Sequence, residues 1–104
     1  MNKPPSLSAE DRRLALQKAA SHRKTRAEFK EQIRIGVKNW SDALTSSDEA
    51  IMRMRVKELL ESLPGFGSIR AIAILDRVGI SHTRRIQGLG SAQREKLLQE
   101  LKGR

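Results

Sequence analysis

The chain has 104 residues and carries 21 Lys and Arg against 12 Asp and Glu, a formal charge of +9 that favours a polyanionic partner. It has no cysteine, which excludes disulfides and thiolate zinc sites, and no apolar run of the roughly 18 residues that a membrane span needs. Its start, MNKPPSLSAEDRR, lacks the apolar middle of a secretory signal. We therefore expect one small, soluble, cytoplasmic domain with a modest aliphatic core.

The first 35 residues predict a disordered lead-in and then one long helix. Residues 1–7 contain two prolines, and Ser8, with an acidic residue three positions later, resembles a capping box. From residue 9 to about 35 there is no Pro or Gly, and good helix formers dominate. The apolar face stays thin until Phe29 and Ile33, so we expect the first half to project or to pack loosely.

Four basic residues of this helix recur at spacings of three, four and four, which places them on one face. They are Arg23, Arg26, Lys30 and Arg34. Acidic neighbours moderate this stripe. It is either a solvated face or a phosphate-binding surface, and the sequence leaves both interpretations open.

Gly36 ends the long helix, and residues 36–63 predict short packing helices with Ser41 and Ser47 as caps. We interpret the single Trp40 as a core anchor rather than as a base-stacking residue. The pattern RVKELLESL places four apolar residues on one buried face. These are Val56, Leu59, Leu60 and Leu63.

The stretch LPGFGSIRAIAIL predicts a glycine corner between two helices. Pro64 stops the first helix, Gly65 and Gly67 permit a sharp turn, and Ser68 caps the second helix. That helix closes at Gly79. Its predicted apolar face consists of Ile69, Ile72, Ala73, Leu75 and Val78.

A second glycine corner follows in the stretch SHTRRIQGLGSAQREKLLQEL. Gly88, Leu89 and Gly90 form its loop, and Ser91 caps the last helix. The packing face of that helix is predicted to consist of Leu97, Leu98 and Leu101.

Each corner is either a plain tight turn or a phosphate-binding helix start, since the first amides of a helix point outward without partners. Two such corners favour two separate contacts with a nucleic-acid backbone. Sequence selectivity should be weak, because phosphates carry no sequence information. Arg70 adds charge in the first turn after one corner. Arg84 and Arg85 stand together in a polar connector, where no core role explains them.

The stretch MRVKELLESLPGFGSIRAIAILDRVGISHTRRIQGLGSAQREKLL closely resembles the actinobacterial integration host factors, which are nucleoid-associated proteins. The resemblance implies an all-α fold: a long N-terminal helix and a compact helical body with a helix-two-turns-helix motif. It also implies binding to duplex DNA with little sequence preference, together with DNA bending or compaction, and effects on topology and site-specific integration. A phage integrase complex is the further partner implied, and we expect a monomer in the free form.

Carried over by position, the DNA-contacting loops of that family fall on two groups of residues. They are Gly65, Phe66, Gly67 and Ser68, and Thr83, Arg84, Arg85, Gln87, Gly88 and Gly90. Ser68 and Gln87 stand where the family carries basic residues, so we expect weaker binding at high salt. Residues 8–104 would form one DNA-binding domain with its helix-two-turns-helix region at 64–104, and the basic stripe of the first helix would supply a second DNA surface.

Two other classes of protein share part of this pattern. The segment GFGSIRAIAILDRVGI also resembles small-subunit ribosomal protein thirteen, an RNA-binding protein, although that family has a long basic C-terminal tail where this sequence reads LKGR. LPGFG resembles the hairpin of DNA glycosylases with lyase activity, but Ile69 stands where those enzymes carry the Schiff-base lysine. His22 and His82 have no paired acid or nucleophile at a recognisable spacing. We expect that the protein is not an enzyme and that it has no cofactor and no metal site.

Overall fold

A computed structural model describes residues 8–102, so the predicted disordered lead-in at 1–7 lies outside the described residues. The described part of the chain is helical and contains no β-strand beyond one isolated antiparallel bridge. The α-helices are α1 (Ala9–Arg34), α2 (Glu49–Met52), α3 (Val56–Glu61), α4 (Ser68–Val78) and α5 (Ser91–Glu100). Two 3-10 helices span Trp40–Thr45 and Ile86–Gly88.

Helix α1 confirms the predicted long helix and a first half that packs only loosely. Its start is capped by the Ser8 hydroxyl, which accepts a hydrogen bond from the amide of Asp11 at 3.0 Å. Residues 9–21 are all exposed, whereas Phe29 and Ile33 are buried. Only the second half of α1 therefore contributes buried side chains to the core. Among the helices of residues 8–102, none combines the length and the apolar composition that a membrane span requires.

The body packs around the apolar residues of α3 and the preceding short helices. The four predicted positions of α3 and its end are buried, and Trp40 is 3% exposed, which confirms it as a core residue. The predicted caps are wrong: Asn39 precedes the first 3-10 helix, and Asp48 caps α2 by accepting from the amide of Ala50 at 2.8 Å. A short carboxylate is an effective acceptor at a helix start, so Asp48 takes the place predicted for the neighbouring Ser47.

Helix α4 buries a different face from the one predicted. Its buried residues are Ala71, Ile74, Leu75 and Val78. Their spacing of three, one and three forms a single stripe on a helix, whereas the predicted set spans two faces. Ile69 is 87% exposed, and neither Ile72 nor Ala73 is buried.

Helix α5 packs through Leu97, and Leu101, directly after its last residue, is also buried, while Leu98 is 40% exposed, against the prediction. Both α4 and α5 also begin one residue earlier than expected. Gly67 and Gly90, rather than the serines that follow them, are the residues before the first turn. A glycine at this position leaves the helix start without a capping side chain of its own, so nothing attached to it covers the first amides.

Candidate nucleic-acid interface

The first glycine corner is shaped by one glycine with a left-handed backbone. Gly65 has φ +78°, a conformation that is costly for residues with a side chain. Gly67 is extended, with φ −101° and ψ −175°, so of the two glycines predicted to permit the turn only Gly65 adopts a backbone conformation that favours glycine. Space for a side chain is open at both positions. Because Gly67 has no side chain, a ligand can approach the backbone at the start of α4.

The buried side chain of Phe66 anchors this corner to the core. Its side chain is 7% exposed, so it cannot reach a ligand, and only its backbone remains available for the contact predicted from the family resemblance. The Arg70 guanidinium lies over the Phe66 ring, 4.1 Å from the centroid. This stacking holds the cation of Arg70 near the start of α4, where Ser68 and Ile69 are exposed.

The second corner is shaped by close packing. The Arg84 side chain lies across Gly88: a Cβ added at Gly88 would stand 3.1 Å from Arg84 Cδ, and Arg84 Nη1 donates to the Gly88 carbonyl at 3.2 Å. Leu89 is buried between the two glycines of this corner. The amide of Gly90 donates to Gln93 Oε1 at 3.2 Å, so one amide at the start of α5 is already partnered.

Arg94 secures the second corner to the rest of the body. Its partly buried guanidinium donates to the carbonyl oxygens of Leu44, Ile86 and Leu89, the last two at 3.3 Å. The three acceptors lie in the first 3-10 helix, the second 3-10 helix and the corner itself. The sequence gives no sign of this role, because nothing in the local pattern distinguishes Arg94 from an exposed arginine on a helix.

A short backbone pairing places the two adjacent arginines. Arg85 pairs with Arg55 in the antiparallel bridge, and the amide of Val56 donates to the Arg84 carbonyl at 2.9 Å. The Arg85 side chain also donates to the Arg53 carbonyl. Arg84 and Arg85 therefore have backbone and hydrogen-bond partners, while both side chains remain exposed and lie outside the core.

Several residues predicted for the second site share one open depression of about 380 Å³. Its lining is formed by Ser81, Thr83, Arg84, Arg85, Gln87 and Gly88. Within it, the hydroxyls of Ser81 and Thr83 lie 3.1 Å apart. The depression thus combines two cations with hydroxyl and amide groups, all of which suit phosphate oxygens.

The basic stripe of α1 is divided into two halves. Lys30 is paired with Glu58 of α3 at 2.6 Å, and Arg34 is paired with Glu31 at 2.6 Å. The hydrogen bond and the charge of Glu31 raise the pKa of Arg34 above its ordinary value. Arg23 and Arg26 instead line a cleft between α1 and the body. The four side chains therefore do not present one continuous unpaired surface.

The two histidines do meet carboxylates, although their spacing in the sequence gave no sign of it. His82 Nε2 lies 2.6 Å from Asp76 Oδ1, and His22 Nε2 lies 3.9 Å from Glu49 Oε2. Within residues 8–102, no hydroxyl is hydrogen-bonded to either ring, and no three His, Asp or Glu side chains are grouped as metal ligands would be.

Comparison with known proteins places this architecture in a class. Residues 41–101 match the family model described as "S13-like H2TH domain", where H2TH denotes the helix-two-turns-helix motif. The matched region begins at the second residue of the 3-10 helix Trp40–Thr45 and includes both glycine corners. The chain is therefore an H2TH-domain protein.

Individual relatives narrow this class. The chain is 42% identical over 98 residues to the integration host factor of Mycolicibacterium smegmatis, covering 92% of this chain and 93% of the relative. It is 44% identical over 91 residues to the integration host factor of Streptomyces coelicolor, covering 86% and 85%. The chain belongs to this integration host factor family.

A solved structure shows the same fold in a complex. The structure of sIHF bound to an 8-bp palindromic DNA superposes with a TM-score of 0.78 and 41% sequence identity. The superposition covers 81% of this chain and 97% of that one. The predicted family resemblance and the all-α fold are thus confirmed.

Proposed function

We propose that this chain is a nucleoid-associated protein that binds duplex DNA through backbone phosphates, with little sequence preference. The observation that carries the proposal is the pair of exposed glycine corners before α4 and α5, each accompanied by an exposed arginine: Arg70 at the first and Arg84 at the second. The net charge of +9 supplies the long-range attraction to a polyanion. A relative with 41% identity is bound to duplex DNA in its solved structure, which supports the choice of ligand.

The contacts follow from the chemistry of the two corners. At the first, a phosphate would meet the first amides of α4 beside Gly67, with the Arg70 cation close by. At the second, a phosphate would meet Arg84 and Arg85 in the depression lined by Thr83 and Gln87. None of these groups requires a particular base, so binding should depend on duplex geometry and charge.

The remaining parts of the proposal concern the whole chain. Residues 8–104 would act as one DNA-binding domain in the cytoplasm, at the nucleoid, without catalysing a reaction. Because the two corners grip at separate points, the duplex would be bent or compacted, with effects on topology and site-specific integration. The free protein would be a monomer that also serves a phage integrase complex.

An electrophoretic mobility assay tests this function. We expect duplex DNAs of equal length and unrelated sequence to shift at similar protein concentrations, because phosphate contacts are common to all of them. Duplex RNA of the same length should bind more weakly. A clear preference for RNA, together with sedimentation alongside small ribosomal subunits at high salt, would contradict the proposal and favour the ribosomal alternative.

A further inference from the structure

A cleft of about 370 Å³ lies between α1 and the end of α2, beside the second glycine corner. Side chains from three parts of the chain meet there, and no acidic residue is among the described residues that line it. Its basic lining consists of Lys18, His22, Arg23, Arg26, Arg53 and Arg85. This concentration of positive charge is a suitable environment for a phosphate group.

One carboxylate at the rim of the cleft partly neutralises it. Glu49 Oε2 lies 3.4 Å from Lys18 Nζ and 3.9 Å from His22 Nε2, and Glu49 Oε1 lies 3.5 Å from Arg53 Nη2. Glu49 therefore contacts cations of both α1 and α2. A single carboxylate cannot balance the five lysine and arginine side chains that line the cleft.

The ion pairs of Glu49 are looser than others in the molecule. Their distances of 3.4 Å to 3.9 Å exceed that of a good charged hydrogen bond, and the Glu49 side chain is 47% exposed. Lys30 and Glu58, by contrast, are in contact at 2.6 Å. Exposed pairs at these distances contribute little free energy, so another anion can displace Glu49 at small cost.

We propose that this cleft binds one backbone phosphate of duplex DNA, and that Glu49 occupies its cations until that phosphate arrives. The inference rests on the proposed function and adds a site between the basic stripe of α1 and the second glycine corner. Arg53, which no pattern in the sequence marks as a candidate, lines this cleft together with cations of α1. Its carbonyl accepts from the Arg85 side chain, so the cleft is continuous with the second corner.

The phosphate would also replace Glu49 as the anion that links α1 to the body. It would bridge the cations of α1 to Arg53 and Arg85, as Glu49 now bridges α1 to α2. The exposed first half of α1 would then be held against the same duplex as the second corner. Glu49 is thus an internal competitor whose removal should tighten DNA binding.

Two charge-changing variants test the site, each with a matched control on α5. Glu49→Gln should bind duplex DNA about three- to tenfold more tightly at low salt, because one competing charge near the phosphate is lost. Glu95→Gln makes the same change in net charge on α5, where the Glu95 side chain is exposed and accepts from Gln99. We expect that control to bind within about twofold of the wild type.

Arg53→Ala should lower the slope of log affinity against log salt by about 1, with similar losses on unrelated sequences. The control is Lys96→Ala, which removes an exposed cation of α5 outside the cleft and should leave the slope unchanged. Thermal unfolding of each variant checks that the fold is kept, and Arg53→Lys, which keeps the charge, should restore most of the slope.

The outcomes separate this inference from the proposed function. If the wild-type protein binds duplex DNA but Glu49→Gln and Arg53→Ala behave as their controls do, the cleft proposal is wrong and the function stands. If Glu49→Gln weakens binding while the protein stays folded, Glu49 positions the cations rather than competing for them, and the proposal is again wrong. If the wild-type protein does not bind duplex DNA, the proposed function itself fails.

Discussion

The two glycine corners look alike in sequence, yet each is built for a different physical reason. At the first corner, Gly65 is required by its left-handed backbone and has open space around it. At the second, Gly88 lies beneath the Arg84 side chain, and a Cβ there would stand only 3.1 Å from it. The same Gly-x-Gly pattern thus serves conformation in one place and close packing in the other.

The residue between the glycines has the same role in both corners. Phe66 is 7% exposed and Leu89 is 6% exposed, so each corner inserts one apolar side chain into the core while the flanking glycines remain at the surface. This arrangement fixes a bare backbone segment at the start of a helix. A rigid corner loses little conformational entropy on contact with a phosphate. The buried anchor therefore contributes to DNA binding by keeping the corner rigid.

The largest expected effect comes from removing either anchor. Phe66→Ala should lower the free energy of unfolding by about 3–5 kcal/mol and Leu89→Ala by about 2–5 kcal/mol, because each leaves a cavity in the core. Urea denaturation at constant pH measures both values. A loss below about 1 kcal/mol at either position would show that the anchor is not part of the core.

The next effect concerns charge at the second corner. Arg84→Ala combined with Arg85→Ala should weaken DNA binding about tenfold or more and lower the salt slope by about 2, equally on unrelated duplexes. The corresponding double change to Lys keeps both charges but alters the backbone hydrogen bonds of these side chains. We expect it to retain most of the slope. Loss confined to particular sequences would indicate base recognition instead.

The backbone difference between the corners predicts a smaller effect on stability. Gly65→Ala should destabilise the fold by about 1–2 kcal/mol, since φ +78° is unfavourable for a residue with a Cβ. Gly67→Ala, at an extended position with open space, should cost less than about 1 kcal/mol. Equal costs at the two positions, measured by thermal unfolding, would contradict the assignment of the turn to Gly65.

The smallest effect is expected from the packing contact at the second corner. Gly88→Ala should displace the flexible Arg84 side chain and weaken DNA binding about two- to threefold, with a change in stability below about 1 kcal/mol. Gly90→Ala is the control, because nothing lies within 4 Å of a Cβ there. Similar binding by the two variants, in fluorescence anisotropy, would show that Arg84 does not need its present position.

Local signals in the sequence predicted the helix framework. Ser8 marked the start of α1, Gly36 its end and Gly79 the end of α4, because each signal depends on one residue and its nearest neighbours. The starts of α4 and α5 were predicted one residue late. A glycine followed by a serine offers two acceptable starts, and packing of the helix decides between them.

The site could be predicted only in part, since much of it depends on contacts between distant segments. The pairing of Arg55 with Arg85 brings together residues thirty positions apart, and no periodicity reports it. The same holds for Arg94, whose acceptors lie in three different segments. Ile69 was expected to be buried, yet it is 87% exposed because it lies on the face of α4 opposite the buried stripe that Ala71 and Leu75 share.

A salt titration tests the central claim, that the two corners bind DNA through phosphates. Affinity for two duplexes of equal length and unrelated sequence would be measured by fluorescence anisotropy over a range of salt concentrations. If about four to six phosphates are neutralised, log affinity should fall against log salt with a slope of about −4 to −5 on both duplexes. A slope near zero, or a steep slope on only one sequence, would contradict the claim.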